Sequence, residues 1–278
     1  MTLICVPITV TEIHTALADA QAASDGGADL VEYRIDEFFS GDGVEEDAIV
    51  GLVSKSPMPC IVTCRIGAEG GAYDGPEDAR VSLFERLGTM ADGGNAAGPR
   101  YLDVEFAAYK ASANIRQKVN LAVRHPGQHR DLATSLILST HDFDGRPGDL
   151  LRRLSAMDGE AAAAVVKIAY RARSLRDSME ILDLPRAFRR PMIALGMGEF
   201  GLMTRVLAPK FGGFLTFASL RPTSTTAPGQ PTLRDLIDLY RVRSIGRETA
   251  VYGVVGWPVT QSLSPHIHNA GFEAIGHN

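Results

Sequence analysis

Ala164-Val165-Val166-Lys167-Ile168-Ala169 is a continuous apolar run interrupted once, by a lysine. A short run of this kind, with no alternation of polar and apolar residues, reads as a strand buried on both faces, the habit of a parallel sheet covered by helices. Lys167 sits at its centre, and a buried ammonium is costly unless it reacts or is paired. Apolar surroundings disfavour the charged form and favour a free amine that can attack a ketone and form an imine. A lysine that snorkels to solvent, or pairs with a carboxylate, is the competing reading, and the strand alone leaves both open.

Similar runs recur on either side of this one, at 3–9, 29–36, 59–65, 101–106, 135–141, 192–198 and 214–219, with amphipathic segments between them. Eight βα units in this length favour a closed (β/α)8 TIM barrel over an open doubly wound sheet. No Gly-x-Gly-x-x-Gly follows the first run, which weakens a dinucleotide-binding sheet. After the eighth run, Ser224–Pro231 is rich in Thr, Gly and Pro and is expected as a loop on the C-terminal face of the barrel, followed by a helix over Thr232–Ile245. A new strand-and-turn pattern starts near Thr249, so the expected division is a barrel over 1–247 and a short segment of a second, truncated α/β domain over 248–278.

Composition narrows the function classes. The 278 residues carry a net charge of −5 with no basic stripe, which argues against nucleic acid as a partner. No apolar run approaches a membrane span, and the first residues lack the basic start of a secretory signal, so the cytoplasm is the expected compartment. Three cysteines, two of them four apart on one strand face, read as reduced buried thiols and not as a disulfide framework or a metal site. A homodimer is an assembly the sequence leaves open.

Side chains alternate faces along a strand, which sorts the polar residues. Glu32, Arg34 and Asp36 share one face of the second run, opposite Val31, Tyr33 and Ile35. Thr63 and Arg65 share parity on the third, Asp103 and Glu105 on the fourth, and Ser139 and His141 end the fifth. Lys167 lies on the sixth, while Leu195 and Met197 close the seventh. Any one of these could be a structural ion pair filling a barrel layer. Together they place an amine, an imidazole, carboxylates and guanidiniums at the C-terminal ends of different strands, as a catalytic face requires.

The segments Val31-Glu-Tyr-Arg-Ile-Asp36, Thr63-Cys-Arg65 with Glu69-Gly-Gly71, Asp103-Val-Glu105, Ser139-Thr-His-Asp-Phe143, Val166-Lys-Ile-Ala169, Gly196-Met-Gly-Glu-Phe-Gly-Leu-Met-Thr-Arg205 and Ala227-Pro-Gly-Gln230 resemble, in order and spacing, type I 3-dehydroquinate dehydratase. The resemblance runs from residue 3 to about 245 and implies a lyase that converts 3-dehydroquinate to 3-dehydroshikimate, in the shikimate pathway to aromatic amino acids, with no metal or other cofactor. It implies Lys167 as the imine-forming amine, His141 as the proton carrier and Glu69 as the carboxylate that orients it. Arg205 would clamp the substrate carboxylate, Glu32, Arg34 and Arg65 would read ring hydroxyls, and Met197 would pack on the ring. Gln230 and Thr226 would close over it from the lid, Thr226 standing where the family commonly has serine. Bacterial members often begin with a hairpin that plugs the barrel bottom, whereas this chain starts at the first barrel strand, so that end needs another cover.

The tail Tyr252-Gly-Val-Val-Gly-Trp-Pro258 with Gln261-Ser-Leu-Ser-Pro-His-Ile-His-Asn269 resembles the start of shikimate dehydrogenase, in which the serines matching Ser262 and Ser264 bind the substrate carboxylate. The pairing implies part of a bifunctional enzyme, and no dehydrogenase activity is expected of these residues alone. A class I aldolase-type Schiff-base enzyme and a non-catalytic binding barrel are the alternatives. Borohydride trapping with dehydroquinate or with sugar phosphates separates the first, and the joint presence of Lys167, His141 and Glu69 weighs against the second.

Overall fold

The computed structural model describes residues 1–277 apart from 42–44, 91–97, 130–131, 225, 227–228, 257 and 260. Ala227 and Pro228 of the expected lid, and Trp257 of the tail motif, therefore lie outside the described residues. Eight parallel strands, β1 (Leu3–Thr9), β2 (Leu30–Arg34), β3 (Cys60–Thr63), β4 (Tyr101–Glu105), β5 (Ser135–Asp142), β6 (Ala163–Arg171), β7 (Met192–Met197) and β8 (Leu215–Phe217), form one sheet. The sheet runs in chain order from β7 back to β1, and β1 then pairs with β8. The Phe214 amide donates to the Met192 carbonyl at 2.8 Å, which draws β8 to β7 and all but closes the ring. This is the TIM-barrel arrangement that the eight apolar runs predict.

Helices α1 (Ile13–Asp25), α2 (Glu46–Ser54), α3 (Glu77–Gly88), α4 (Phe106–Ala111), α5 (Ala113–Ala122), α6 (Leu150–Asp158), α7 (Leu175–Ala187), α8 (Leu202–Val206) and α9 (Ala208–Phe211) follow their strands and pack around them. The α7 start is encoded locally: Ser174 accepts from the Asp177 amide, and Asp177 accepts from the Ser174 amide, so two otherwise orphaned donors are satisfied. Beneath the helices lies a belt of outward-facing strand residues that includes Val31, Tyr33, Val62, Leu102, Leu138, Val166 and Ile168. Cys60 and Cys64 belong to this belt, buried and free, with burial pushing the Cys60 thiol up to about 12.

The interior of the barrel is divided along its axis. Its lower half is apolar, filled by Cys5, Leu30, Ile61, Tyr101, Ile137, Val165, Ile193 and Leu215. Tyr101 of β4 and Phe214, just before β8, meet edge to face at 6.1 Å and contribute to the floor. One turn higher, at the C-terminal ends, the inward positions become polar.

Past β8 the predicted continuous helix over Thr232–Ile245 is interrupted. Residues Asp235–Leu239 form a wide helical turn, Arg241 adopts φ 48°, and a short 3-10 turn follows at Val242–Ser244. A left-handed arginine cannot continue a right-handed helix, so the chain turns there. The tail includes α10 (Ser264–Ala274), none of whose residues is buried; its contacts with the preceding structure include Asn269 Nδ2, which donates to the Leu239 carbonyl at 2.8 Å, and Phe272, stacked on Tyr252.

Candidate active site

Parallel register places the inward side chains of neighbouring strands side by side: Arg34 beside Thr63, Thr63 beside Asp103, Glu105 beside Ser139, and Ser139 beside Lys167. Lys167 is 5 % exposed. Its Nζ donates to Asp103 Oδ2 at 2.7 Å and to Glu32 Oε1 at 3.3 Å, and lies 4.7 Å from the centre of the Phe217 ring. The apolar strand thus gives an incomplete picture of this lysine. Its backbone neighbours are apolar, but its head group reaches across the barrel to two carboxylates, which offset the cost of burying the ammonium. Thr63 Oγ1 donates to Glu32 Oε1 at 2.7 Å and holds that carboxylate in place.

Asp103 is the hub. Arg65 Nη2 and Ser139 Oγ both donate to its Oδ1, at 2.7 and 2.6 Å, and Arg65 Nη1 donates to Ser139 Oγ at 2.8 Å. Burial alone would raise the Asp103 carboxyl, but Arg65 and Lys167 overcome it and hold it far below the usual range. Arg34 forms a bidentate pair with Asp36 at 2.8 and 3.0 Å, and Asp36 also accepts from the Ala72 amide. Arg34 and Arg65 are therefore engaged with carboxylates of the barrel itself.

Glu69 reaches the site on a turn that only glycine permits. Gly70 adopts φ 79°, and a Cβ on Gly71 would stand 2.0 Å from the Arg65 carbonyl oxygen. Folded back in this way, Glu69 Oε2 accepts from the His141 amide at 3.0 Å and lies 2.9 Å from His141 Nδ1. Burial pushes the Glu69 carboxyl up to about 7, with Arg65 opposing and Glu105 adding to the rise. Burial, then Arg65 and Lys167, hold the His141 imidazole well below its ordinary value. The imidazole is therefore neutral near pH 7, as a general base must be.

Arg205, on α8 just beyond β7, differs from the other guanidiniums. It is 2 % exposed, its buried Nε has no hydrogen-bond partner, and no ion pair reaches it among the described residues. Burial lowers it to about 10. Gln230, in the segment that follows β8, is 8 % exposed with Nε2 likewise unpartnered, while its Oε1 accepts from Thr226 N and Oγ1 at 3.2 and 3.3 Å. Gly229 beside it packs on β7's end, where a Cβ would come within 2.3 Å of the Gly198 carbonyl oxygen. Met197 is buried at that same end of β7. Arg205 Nε and Gln230 Nε2, a guanidinium and an amide, are buried donors that an acceptor group would satisfy.

The structure thus brings Lys167, Glu32 and Arg65 into one network, with Glu69 and His141 paired beside it. Ser262 and Ser264 stand apart at the head of α10, where the Ser264 amide donates to Ser262 Oγ at 3.2 Å. Strand parity had marked Asp103, Glu105, Thr63 and Ser139 as inward polar residues without giving them a task. It could not find Arg80, because Arg80 is on a helix. The available signal was its place in the apolar stripe Arg80, Phe84, Leu87, where an arginine at a core position calls for a partner. Among the described residues, no group of His, Cys, Asp and Glu forms a metal site, and no helix is long and apolar enough to cross a membrane.

The sequence profile of the type I 3-dehydroquinase family matches residues 4–247. The chain belongs to that family. A bifunctional 3-dehydroquinate dehydratase/shikimate dehydrogenase of Arabidopsis thaliana, described as chloroplastic, is 36% identical over 277 residues, 99% of this chain. The chain spans 43% of that relative's length. A 3-dehydroquinate dehydratase of Methanosarcina mazei is 32% identical over 227 residues, covering 78% of this chain and 86% of the relative. In fold, the type I 3-dehydroquinate dehydratase of Clostridium difficile superposes with a TM-score of 0.71 at 24% identity, over 88% of this chain and 94% of that one.

Proposed function

We propose that this type I 3-dehydroquinase barrel dehydrates 3-dehydroquinate to 3-dehydroshikimate through an imine on Lys167. The observation that carries the reading is the contact of one buried amine with two carboxylates, beside a His–Glu pair, inside a barrel of this family. The amine attacks the ketone carbon and water leaves. The protonated imine then draws electrons from the adjacent C–H bond, and His141 Nε2 accepts that proton. The hydroxyl β to the former carbonyl departs as water with the proton that His141 then gives back, and hydrolysis of the conjugated imine returns the lysine. Asp103 and Glu32 sit where their charge stabilises the iminium, and His141, as proton carrier, also serves imine formation and breakdown. Borohydride reduction in the presence of 3-dehydroquinate is expected to add one substrate-derived mass at Lys167. An unmodified chain, or an adduct at another lysine, would sink the reading.

In this reading Arg205 receives the substrate carboxylate, Gln230 and Thr226 close over it, Met197 packs on the ring, and Glu32, Arg34 and Arg65 read the hydroxyls; the buried, unpartnered Arg205 Nε supports the first of these roles. Residues 248–278 are read as the opening segment of a shikimate dehydrogenase substrate domain, with Ser262 and Ser264 as its carboxylate-binding pair. Two facts support this reading: the family match ends at residue 247, and the Arabidopsis relative aligns through the tail. The cytoplasm remains the proposed compartment.

The Glu69–His141 pair sets the pH dependence. Above about pH 7 an ionised Glu69 accepts from Nδ1–H and leaves Nε2 free as base; below it, Glu69 keeps its proton and donates to Nδ1, so Nε2 carries hydrogen and cannot accept. The groups that set this balance are Arg65, Asp103 and Glu105 at the ends of β3 and β4, Lys167 on β6 and Arg34 on β2. The pH profile of kcat/KM is expected to fall on the acid side of about 7, and Glu69→Gln to remove that limb while lowering kcat. His141→Ala should reduce kcat far more than it changes KM. An unchanged acid limb in Glu69→Gln would assign the titration to another group.

A further inference from the structure

Arg80 lies outside the barrel on α3, takes no part in the chemistry above, and is 0 % exposed. Its Nη1 donates to Glu105 Oε2 and to the Cys64 carbonyl, both at 2.6 Å, while Nε and Nη2 donate to the two oxygens of Glu77 at 3.1 and 2.7 Å. Glu105 spends its other oxygen inside the barrel: Oε1 accepts from the Ile66 amide at 3.2 Å and lies 3.1 Å from Arg65 Nη1. Ile66 begins the turn that delivers Glu69, since the Glu69 and Gly71 amides both donate to its carbonyl. A single carboxylate thus ties the guanidinium of α3 to the catalytic-face guanidinium Arg65 and to the root of the Glu69 turn.

We infer that Arg80 is a positioning residue for the dehydration, acting through Glu105 to fix Arg65 and the turn that places Glu69 against His141. It rests on the dehydratase reading above. A hydrophobic side chain of similar volume would fill the same stripe on α3, so packing alone gives no reason for a fully buried arginine. The fork of the guanidinium supplies what packing does not: it holds Cys64, at the end of β3, and Glu105, at the end of β4, at a fixed separation. It also sets a positive charge beside Glu105. Without it, the Glu105 charge acts less opposed on Glu69, which also faces Arg65, Asp103 and His141.

The test is steady-state kinetics across neutral pH on wild type, Arg80→Met and Arg80→Lys, with thermal melts to establish that each is folded. Arg80→Met is expected to lose at least about fivefold in kcat/KM and to move the acid limb upward. Arg80→Lys keeps the charge but cannot serve both Cys64 and Glu105, so it should lose at least about fivefold in rate with the limb left in place. A folded Arg80→Met with a smaller loss, or with the loss but an unmoved limb, overturns the inference and leaves Arg80 a structural residue. If Arg80→Met does not fold, Arg80→Lys decides alone, and a loss under about fivefold overturns it. An inactive wild type would instead overturn the dehydratase reading, which separates the two failures.

Discussion

Lys167→Ala is expected to lower turnover by about four orders of magnitude or more, roughly 5 kcal/mol of transition-state stabilisation, because among the described residues no other amine reaches the interior network to supply the electron sink. Its effect on stability has the opposite sign to the one the strand alone would give. Taken as a lone ammonium in an apolar run, the lysine is a burden whose removal relieves the barrel. In the structure it neutralises Asp103 and Glu32, both buried, so its loss leaves carboxylate charge behind. Arg65 continues to hold Asp103 and Thr63 continues to donate to Glu32, which limits the damage. A cost of roughly 3 kcal/mol, in the lower part of the range for a broken buried pair, corresponds to a fall of about 6–12 °C in Tm. A dehydration assay with a thermal melt checks both halves. Residual turnover within about tenfold of wild type would remove Lys167 from the chemistry, and a raised Tm would mean that the carboxylates do not depend on it.

The difference between those two readings of Lys167 marks what a one-dimensional pattern can hold. Period-two alternation identified the inward set Glu32, Arg34, Thr63, Arg65, Asp103, Glu105, Ser139 and Lys167, because strand parity is a local property and a parallel barrel keeps all strands in one direction. Which of them touch is decided by register between strands far apart in sequence; Lys167 and Glu32 are 135 residues apart. No local rule carries that. The floor of the barrel shows the same limit: the alternation that placed Glu32 and Lys167 above also places Leu30 and Val165 below, but that these residues meet to close the bottom follows only from the closed ring. Arg80 escaped because parity was asked of strands and not of helices. The break at Arg241 escaped because a left-handed φ in a non-glycine residue leaves no compositional mark.

Arg205→Met is expected to move binding and stability in opposite directions. In the free protein the guanidinium is buried with an unpartnered Nε, and burial lowers it to about 10. Relative to an arginine in the unfolded chain, that depression is a folding penalty of the order of 3 kcal/mol. The sign follows from which state binds the proton more tightly: the unfolded chain does, so the penalty is present in full at neutral pH and is lifted only as pH rises above about 10. Methionine fills similar volume without charge, so the variant should melt higher than wild type in the absence of ligand. A substrate carboxylate would supply the missing partner, and truncating one side of such a desolvated pair costs about 2–4 kcal/mol, or roughly 30- to 900-fold in KM. Arg205→Lys keeps the charge but not the fork and should fall between the two. Gln230→Ala should cost less, since a lid residue contributes against the ordering of its own loop. Melts with and without substrate, beside steady-state kinetics, decide the matter: a variant that melts lower than wild type and binds substrate equally well would make Arg205 a packing residue and move the carboxylate elsewhere.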